Sequence, residues 1–328
     1  MPRVSIILPV FNVEEYIDRC VNSIIDQTFD DFEAIFVIDG SPDKCEEILK
    51  EHSKKDNRIK IFSRSNAGSG YSRNYGLDKS TGEYIYFMDP DDWIDPTLLS
   101  EVVNYADKYQ VEVAMFGYWS ENAQNKKSKS FSNPQLKYYK SNPSIAKDFI
   151  KIFTENVVYA PWNKLYKRDF LVKNNLTFPN QKTGQDALFN IEVFRKLSKL
   201  LLIPKCYYHY CLFRDNSAGS KFNPSSYDFG MNIISSLEDL LTLWEIDGSQ
   251  FLEVKKMELI FSEYKNIYRK EAKITPKKLL MLIDESACKD LLSNVSFNSM
   301  QTKRNILMYI LVKKPSLFYL AKKIGLVI

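Results

Sequence analysis

The first 120 residues alternate short apolar runs with helical stripes, and few folds accommodate that alternation. The runs "VSIILPV" (4–10), "FEAIFVID" (32–39), "IKIF" (59–62), "YIYFM" (84–88) and "VEVAMFGY" (111–118) have strand length and are mostly apolar. Between the first two, Ile17, Cys20, Val21, Ile24 and Ile25 recur at i, i+3, i+4, i+7 and i+8, which is one face of a helix. Cys45, Ile48 and Leu49 predict a second helix, the residues after "SNAGSG" a short third through Tyr75, and Pro96 opens a fourth. Strands buried on both faces and separated by helices imply a mostly parallel sheet in an α/β layer fold.

A chain of 328 residues can add a second unit to such a layer. The stretch 125–139 is rich in Lys, Ser and Asn and reads as a loop, 145–220 carries mixed elements, and the pattern beyond Tyr227 is nearly all helical. The expected division is an α/β domain over 1–226, in two halves that meet between about 120 and 140, then a helical domain over 227–328. A net charge of +4 is too small to argue for a nucleic-acid partner. No window reaches the roughly 18 apolar residues of a membrane span. The opening "MPRVSIILPVFN" has neither the charged leader nor the cleavage site of a signal peptide. Five cysteines are an odd number, and the Cys206/Cys211 spacing fits no common zinc pattern, so they read as small core residues of a reduced, cytoplasmic protein.

Ligands of open parallel sheets bind at the carboxyl ends of the strands. Three polar clusters fall there, "PVFN", "DGSPD" and "DPDD". Asp39, before Gly-Ser-Pro, suits either a local turn or a carboxylate that accepts a ligand N–H. The stretch "FMDPDDWIDP" holds four aspartates in seven positions, where each like-charged pair costs about 1 kcal/mol in water. Asp95 before Pro96 predicts a helix N-cap, and Asp92 can serve the local turn. That leaves Asp89 and Asp91, oxygen ligands suited to a hard cation, Mg²⁺ or Mn²⁺, with water and a phosphate-bearing substrate filling the shell. Gly68, Gly70 and Gly76 miss the dinucleotide spacing and follow the third strand, which makes a nicotinamide oxidoreductase a distant reading. Arg73, one turn into the following helix, could reach a phosphate or base. Asp186 heads the stripe Phe189, Val193 and Leu197, either as an N-cap or as a base in a cleft. His209, in "CYYHYC", reads as a satisfied core histidine, with a third metal ligand as the other option.

Taken in order, "VSIILPVFNVEEYIDRCVNSIIDQTFDDFEAIFVIDGSPD", "SNAGSGYSRNYGL", "GEYIYFMDPDDWIDP", "WNKLYKRDFL" and "TGQDALF" resemble glycosyltransferase family 2, from about Val4 to Ser220. The resemblance implies a GT-A fold and an inverting, metal-assisted transfer from a nucleotide diphosphate donor, most often UDP-linked. The acceptor would be a glycan on a lipid, polysaccharide or protein. By the same resemblance Pro9, Phe11, Asn12 and Asp39 would form the nucleoside pocket, and Arg73 would contact base or phosphates. Asp89 and Asp91 would be the DxD pair, with Asp91 the direct ligand, Arg214 would close on the phosphates, and Asp186 would be the general base. The sequence departs from the family's pattern at Ile38, Gln185 and Cys211, positions usually acidic, Glu and Arg. Those departures are the support for the rival reading, a nucleotide-sugar-binding partner subunit without chemistry. After Gln301 the tail carries six Lys/Arg and no acid among dense apolar residues. It fits a peripheral contact at the inner face of the cell membrane or an oligomer contact.

Overall fold

The structure is a computed structural model, and it describes residues 1–121, 127–131, 135–181, 183–211, 222–270, 281, 291, 296 and 302–323. The chain falls into two compact units, Met1–Arg214 and Asp215–Ile328.

The first unit is built on one sheet in the order β3-β2-β1-β4-β9-β6-β10-β5, with β5 (Trp93–Ile94) at its end, β7 on β6 and β8 on β10. Strands β1 (Val4–Val10), β2 (Phe32–Asp39), β3 (Ile59–Arg64) and β4 (Tyr84–Phe87) are parallel neighbours. β1 and β2 are buried along their whole length, as their apolar runs require. The helices α1 (Glu14–Ile25), α2 (Cys45–Ser53), α3 (Ser69–Lys79) and α4 (Leu98–Tyr109) make the crossovers between strands. Strand β6 (Val113–Glu121) does not pair with β4. The short β9 (Lys164–Lys167) lies between them, antiparallel to both, so that β4, β6 and β10 (Leu200–Cys211) still run in one direction.

Pro9 sits where a missing N–H does no harm. Ile7 accepts from the amide of Met88, and by the time the strand next faces that side β4 has ended at Phe87. Gly76 lets α3 lie directly on β1, since a Cβ there would come within 2.4 Å of Ile7 Cγ2. The same face of the sheet, beside α3, is lined by Phe87, Tyr166, Phe178 and Phe189, the last two stacked at 4.0 Å between ring centroids. Phe189 belongs to α7 (Gln185–Lys196), which follows α5 (Asn142–Glu155) and α6 (Arg168–Lys173).

Two sequence expectations are corrected. Part of the polar stretch 125–139, expected as loop, forms β7 (Lys127–Phe131) and β8 (Lys137–Tyr139), antiparallel edge strands whose backbone groups pair with β6 and β10. Helix α4 begins at Leu98, two residues after Pro96, with Thr97 at its N-cap and no capping side chain.

The second unit contains α8 (Ser226–Leu243), α9 (Ser249–Lys270), α10 (Lys303–Lys313) and α11 (Pro315–Lys323). Met257, Ile260, Tyr264 and Ile267 of α9 meet Met308, Leu311, Val312, Phe318 and Ala321 in its core.

Candidate active site

The carboxyl ends of β1, β2 and β4 lie side by side. At β1, Phe11 is 45% exposed and Asn12 turns the chain at a φ of 53°, where its amide donates to Ser41 Oγ at 2.7 Å. Ser41 Oγ donates to Asp43 Oδ1 at 2.6 Å, and Asp43 Oδ2 accepts from the Glu14 amide, so the loops after β1 and β2 are tied together. Gly40 follows β2 at a φ of 66°, with Asn66 too close to admit a side chain. Asp39 is 3% exposed. Its two carboxylate oxygens accept from the amides of Ala67 (2.9 Å) and Gly68 (2.7 Å), with Arg64 Nε at 3.7 Å. Asp39 therefore fixes the loop leading into α3 and lies beneath it.

Arg73 is the centre of the site. Its side chain is 3% exposed, Nη1 donates to Asp186 Oδ1 at 2.7 Å and Nη2 donates to Asp89 Oδ1 at 2.7 Å. Its Nε has no hydrogen-bond partner among the described residues. The guanidinium also lies 5.2 Å from the centroid of Phe178. Burial works against the positive charge, but the Asp186 and Asp89 carboxylates more than offset it and hold Arg73 above its usual value. Asp89 goes the other way. Burial, reinforced by the Asp91 and Asp186 charges and only partly countered by Arg73, pushes its carboxyl up to about 6.

The four aspartates of the strand end have different partners. Asp91 presents its backbone carbonyl to Arg19 Nη2 at 3.2 Å, and the Arg19 guanidinium lies 3.6 Å from the Trp93 ring centroid. The Asp92 amide closes the local turn on Asp89 O, but its side chain, 1% exposed, goes to β10, where it accepts from Tyr208 Oη and from the Cys211 amide. Burial and then the neighbouring Asp91 and Asp89 charges raise the Asp92 carboxyl well above the usual range. Asp95 is not the N-cap that its place before Pro96 predicts. Its carboxylate meets His209 Nε2 at 2.9 Å, while His209 Nδ1 meets Glu121 Oε1 at 2.5 Å and the ring stacks on Trp93 at 5.1 Å. Both ring nitrogens of His209 are thus engaged by carboxylates, and it is no third metal ligand in this arrangement.

Asp186 is the second residue of α7. Gly184 occupies the N-cap position at a φ of 77°, so the capping reading of Asp186 falls away. Its side chain is 36% exposed, and Oδ2 has no hydrogen-bond partner among the described residues. Gln185 beside it joins Ser69 Oγ, drawing the start of α7 to the start of α3. Three residues that the sequence reading passed over support this corner. Asn190, 0% exposed, donates from Nδ2 to Asp186 O and Tyr159 O and accepts from Tyr166 Oη. Lys164, also fully buried, donates to Val157 O, Ala160 O and Asn163 Oδ1, and burial holds its pKa well below the usual lysine value. Tyr208 joins β10 to the acid cluster. Of these only Asn190 left a local signal, four residues after Asp186 on the buried face of a helix. Arg214 lies outside the described residues.

A strand-end site of this kind on a mostly parallel sheet belongs to the GT-A class of α/β folds, and sequence comparison identifies the family. The profile of Glycosyl transferase family 2 matches residues 5–173, and the chain belongs to that family. The uncharacterized glycosyltransferase EpsJ of Bacillus subtilis is 29% identical over 213 residues, which are 64% of this chain and 61% of EpsJ. Poly(ribitol-phosphate) beta-N-acetylglucosaminyltransferase TarS of Staphylococcus aureus is 25% identical over 235 residues, 70% of this chain and 39% of TarS. The chain thus spans less than two thirds of the length of either relative. Among solved structures, TarS 1–349 in complex with UDP-GlcNAc superposes with a TM-score of 0.62 at 19% identity, covering 98% of this chain and 92% of that one. The mannosyltransferase PcManGT from Pyrobaculum calidifontis, in complex with GDP-Man and Mn²⁺, gives 0.56 at 13% identity, covering 96% and 87%.

Proposed function

We propose that this glycosyltransferase moves a sugar from a nucleoside diphosphate donor, UDP-linked, to an acceptor hydroxyl in a single displacement that inverts the anomeric centre. The acceptor is a cell-surface polysaccharide or a glycoconjugate. One observation carries the reading. Arg73 holds Asp89 and Asp186 on its two Nη atoms, so one guanidinium bridges the carboxylate at the end of β4 and the carboxylate at the head of α7.

In this reading Phe11, Asn12 and the Asp39 loop receive the nucleoside, and the diphosphate lies across the end of β4. Asp186, with one oxygen fixed by Arg73 and the other without a partner among the described residues, takes the proton of the acceptor hydroxyl as that oxygen attacks. Asn190 fixes the backbone at Asp186, so the base is aimed by the helix that carries it.

The acid cluster is short of positive charge, since Arg73 faces Asp89 and Asp186 while the Asp89 carboxyl is already pushed up to about 6. An all-oxygen donor set with such a deficit fits Mg²⁺ or Mn²⁺. Among the described residues no group of three His, Cys, Asp or Glu side chains is placed to hold a metal alone. Asp89 and Asp91 would hold the ion together with donor phosphate oxygens. When bound, the ion neutralises the departing diphosphate. TarS with UDP-GlcNAc and PcManGT with Mn²⁺ on the same fold support the donor and metal parts of this reading.

The test is turnover of UDP-sugars with and without Mn²⁺, for the wild type and Asp186→Asn. Loss of a general base lowers the rate about 10²- to 10⁴-fold, while nucleotide binding, read by thermal shift, persists. A variant that keeps its rate removes Asp186 from the chemistry. A wild type that binds UDP-sugars without turning them over favours the partner-subunit reading.

A further inference from the structure

Helices α10 and α11 bury one side on α9 through Met308, Leu311, Val312 and Phe318, and Tyr264 Oη donates to Val312 O at 3.0 Å. Their other side is not polar. Leu307 is 56% exposed, Ile310 40%, Leu317 39% and Leu320 51%. Among the described residues nothing fully covers these four side chains, and clustered exposed apolar side chains mark a contact surface. Lys303, Leu307, Ile310 and Lys314 follow one another at i, i+4, i+7 and i+11, which places them on one face of α10 and its C-cap, with both lysines exposed. The apolar centre of the face is therefore flanked by positive charge at each end. No acidic residue follows Asp290, and six Lys/Arg follow Gln301.

We infer that this outer face docks on an anionic lipid surface. The charge pattern separates that occupant from a second copy of the chain. In a two-fold contact the same patch meets itself, so Lys303 and Lys314 would face the lysines of the other copy in either direction of crossing. On a lipid surface the leucines and isoleucine enter the boundary between headgroups and acyl chains. The lysines extend back to the phosphates, where the negative surface potential draws them. No helix among the described residues is long and apolar enough to cross a membrane, so the contact lies along the surface. The inference does not depend on the transfer chemistry proposed above.

The test is co-sedimentation of the full chain with vesicles of phosphatidylcholine alone and of phosphatidylcholine with phosphatidylglycerol. Binding is expected only with the anionic lipid and weakens with salt. Each basic residue near the surface contributes about fivefold, so Lys303→Glu/Lys314→Glu loses at least about 25-fold and Lys303→Arg/Lys314→Arg keeps the affinity. Leu307→Ser/Leu320→Ser, at exposed positions, weakens binding with the thermal midpoint unchanged. Absence of binding to anionic vesicles, or equal binding by the Glu and Arg variants, overturns the inference. So does a concentration-dependent dimer that the serine substitutions dissolve, because it makes the occupant a second copy.

Discussion

The bridge made by Arg73 predicts a destabilisation whose size depends on pH. Arg73→Met keeps an apolar stem of similar length against Phe178 and removes the charge. An opposite charge in direct contact lowers a carboxyl pKa by about 1–3 units. Without Arg73, therefore, Asp89 rises from about 6 by about one to two units. Because the folded value lies above the unfolded one, near 4, the fold holds this proton more tightly than the unfolded chain does. Stability accordingly falls as pH rises from about 4 through the folded pKa, and the full penalty stands above it.

Raising the upper end of that window changes nothing at about pH 5, where Asp89 is protonated in wild type and variant alike. By about pH 8 most of the extra penalty is in place, about 2 kcal/mol at 1.4 kcal/mol per unit. For a unit of this size that lowers the thermal midpoint by about 4–8 °C. Asp186, at 36% side-chain exposure, regains water when its partner goes and adds little to the difference. The assay is thermal unfolding of both proteins at about pH 5 and pH 8. Equal losses at the two pH values would refute the electrostatic role of the bridge and leave Arg73 a packing residue.

Metal binding should show the same proton. If Asp89 is a ligand, the affinity for Mn²⁺ falls about tenfold per pH unit below about 6, and a calorimetric titration flat from pH 7 to pH 5 would exclude it. Gly76→Ala places a Cβ 2.4 Å from Ile7 Cγ2, so α3 must shift off β1 at a cost of about 1–3 kcal/mol, read by denaturant unfolding. Because α3 carries Arg73, that variant should also lose turnover beyond what its folded fraction explains.

The parallel half of the sheet was legible because its signals are local. A strand buried on both faces must be an apolar run, and α1 and α4 show their buried sides at helical spacing. β9 was not legible. Its "KLYK" begins with a lysine that is fully buried, because carbonyls of the preceding loop solvate the ammonium in place of water. β7 and β8 read as loop because an edge strand is held by backbone pairing, which polar side chains do not prevent. Asp39, Asp89 and Asp186 were singled out by strand-end and helix-head positions, yet nothing local shows that Arg73 joins the last two across 16 and 113 residues of sequence.

The aspartate-rich strand end shows how the remaining misreadings and the site are connected. Local rules assign Asp95 to a helix cap and Asp92 to a turn, and both assignments lose to partners more than a hundred residues away on β10. A cap contributes about 1 kcal/mol, whereas a buried carboxylate without partners costs several times that, so the distant hydrogen bonds decide where these side chains go. Tyr208 and the Cys211 amide hold Asp92, while His209 holds Asp95 and is itself held by Glu121. With Asp92 and Asp95 fixed from β10 and Asp89 from α3, the segment between β4 and α4 is clamped on both sides before any ligand arrives. In the proposed reaction that rigidity keeps Asp89 and Asp91 in place for a charged donor, at the expense of crowding like charges that only a cation relieves. "YYHYC" is then part of the site's scaffold, and a substitution at Tyr208 or His209 should disturb donor binding without either side chain touching the donor.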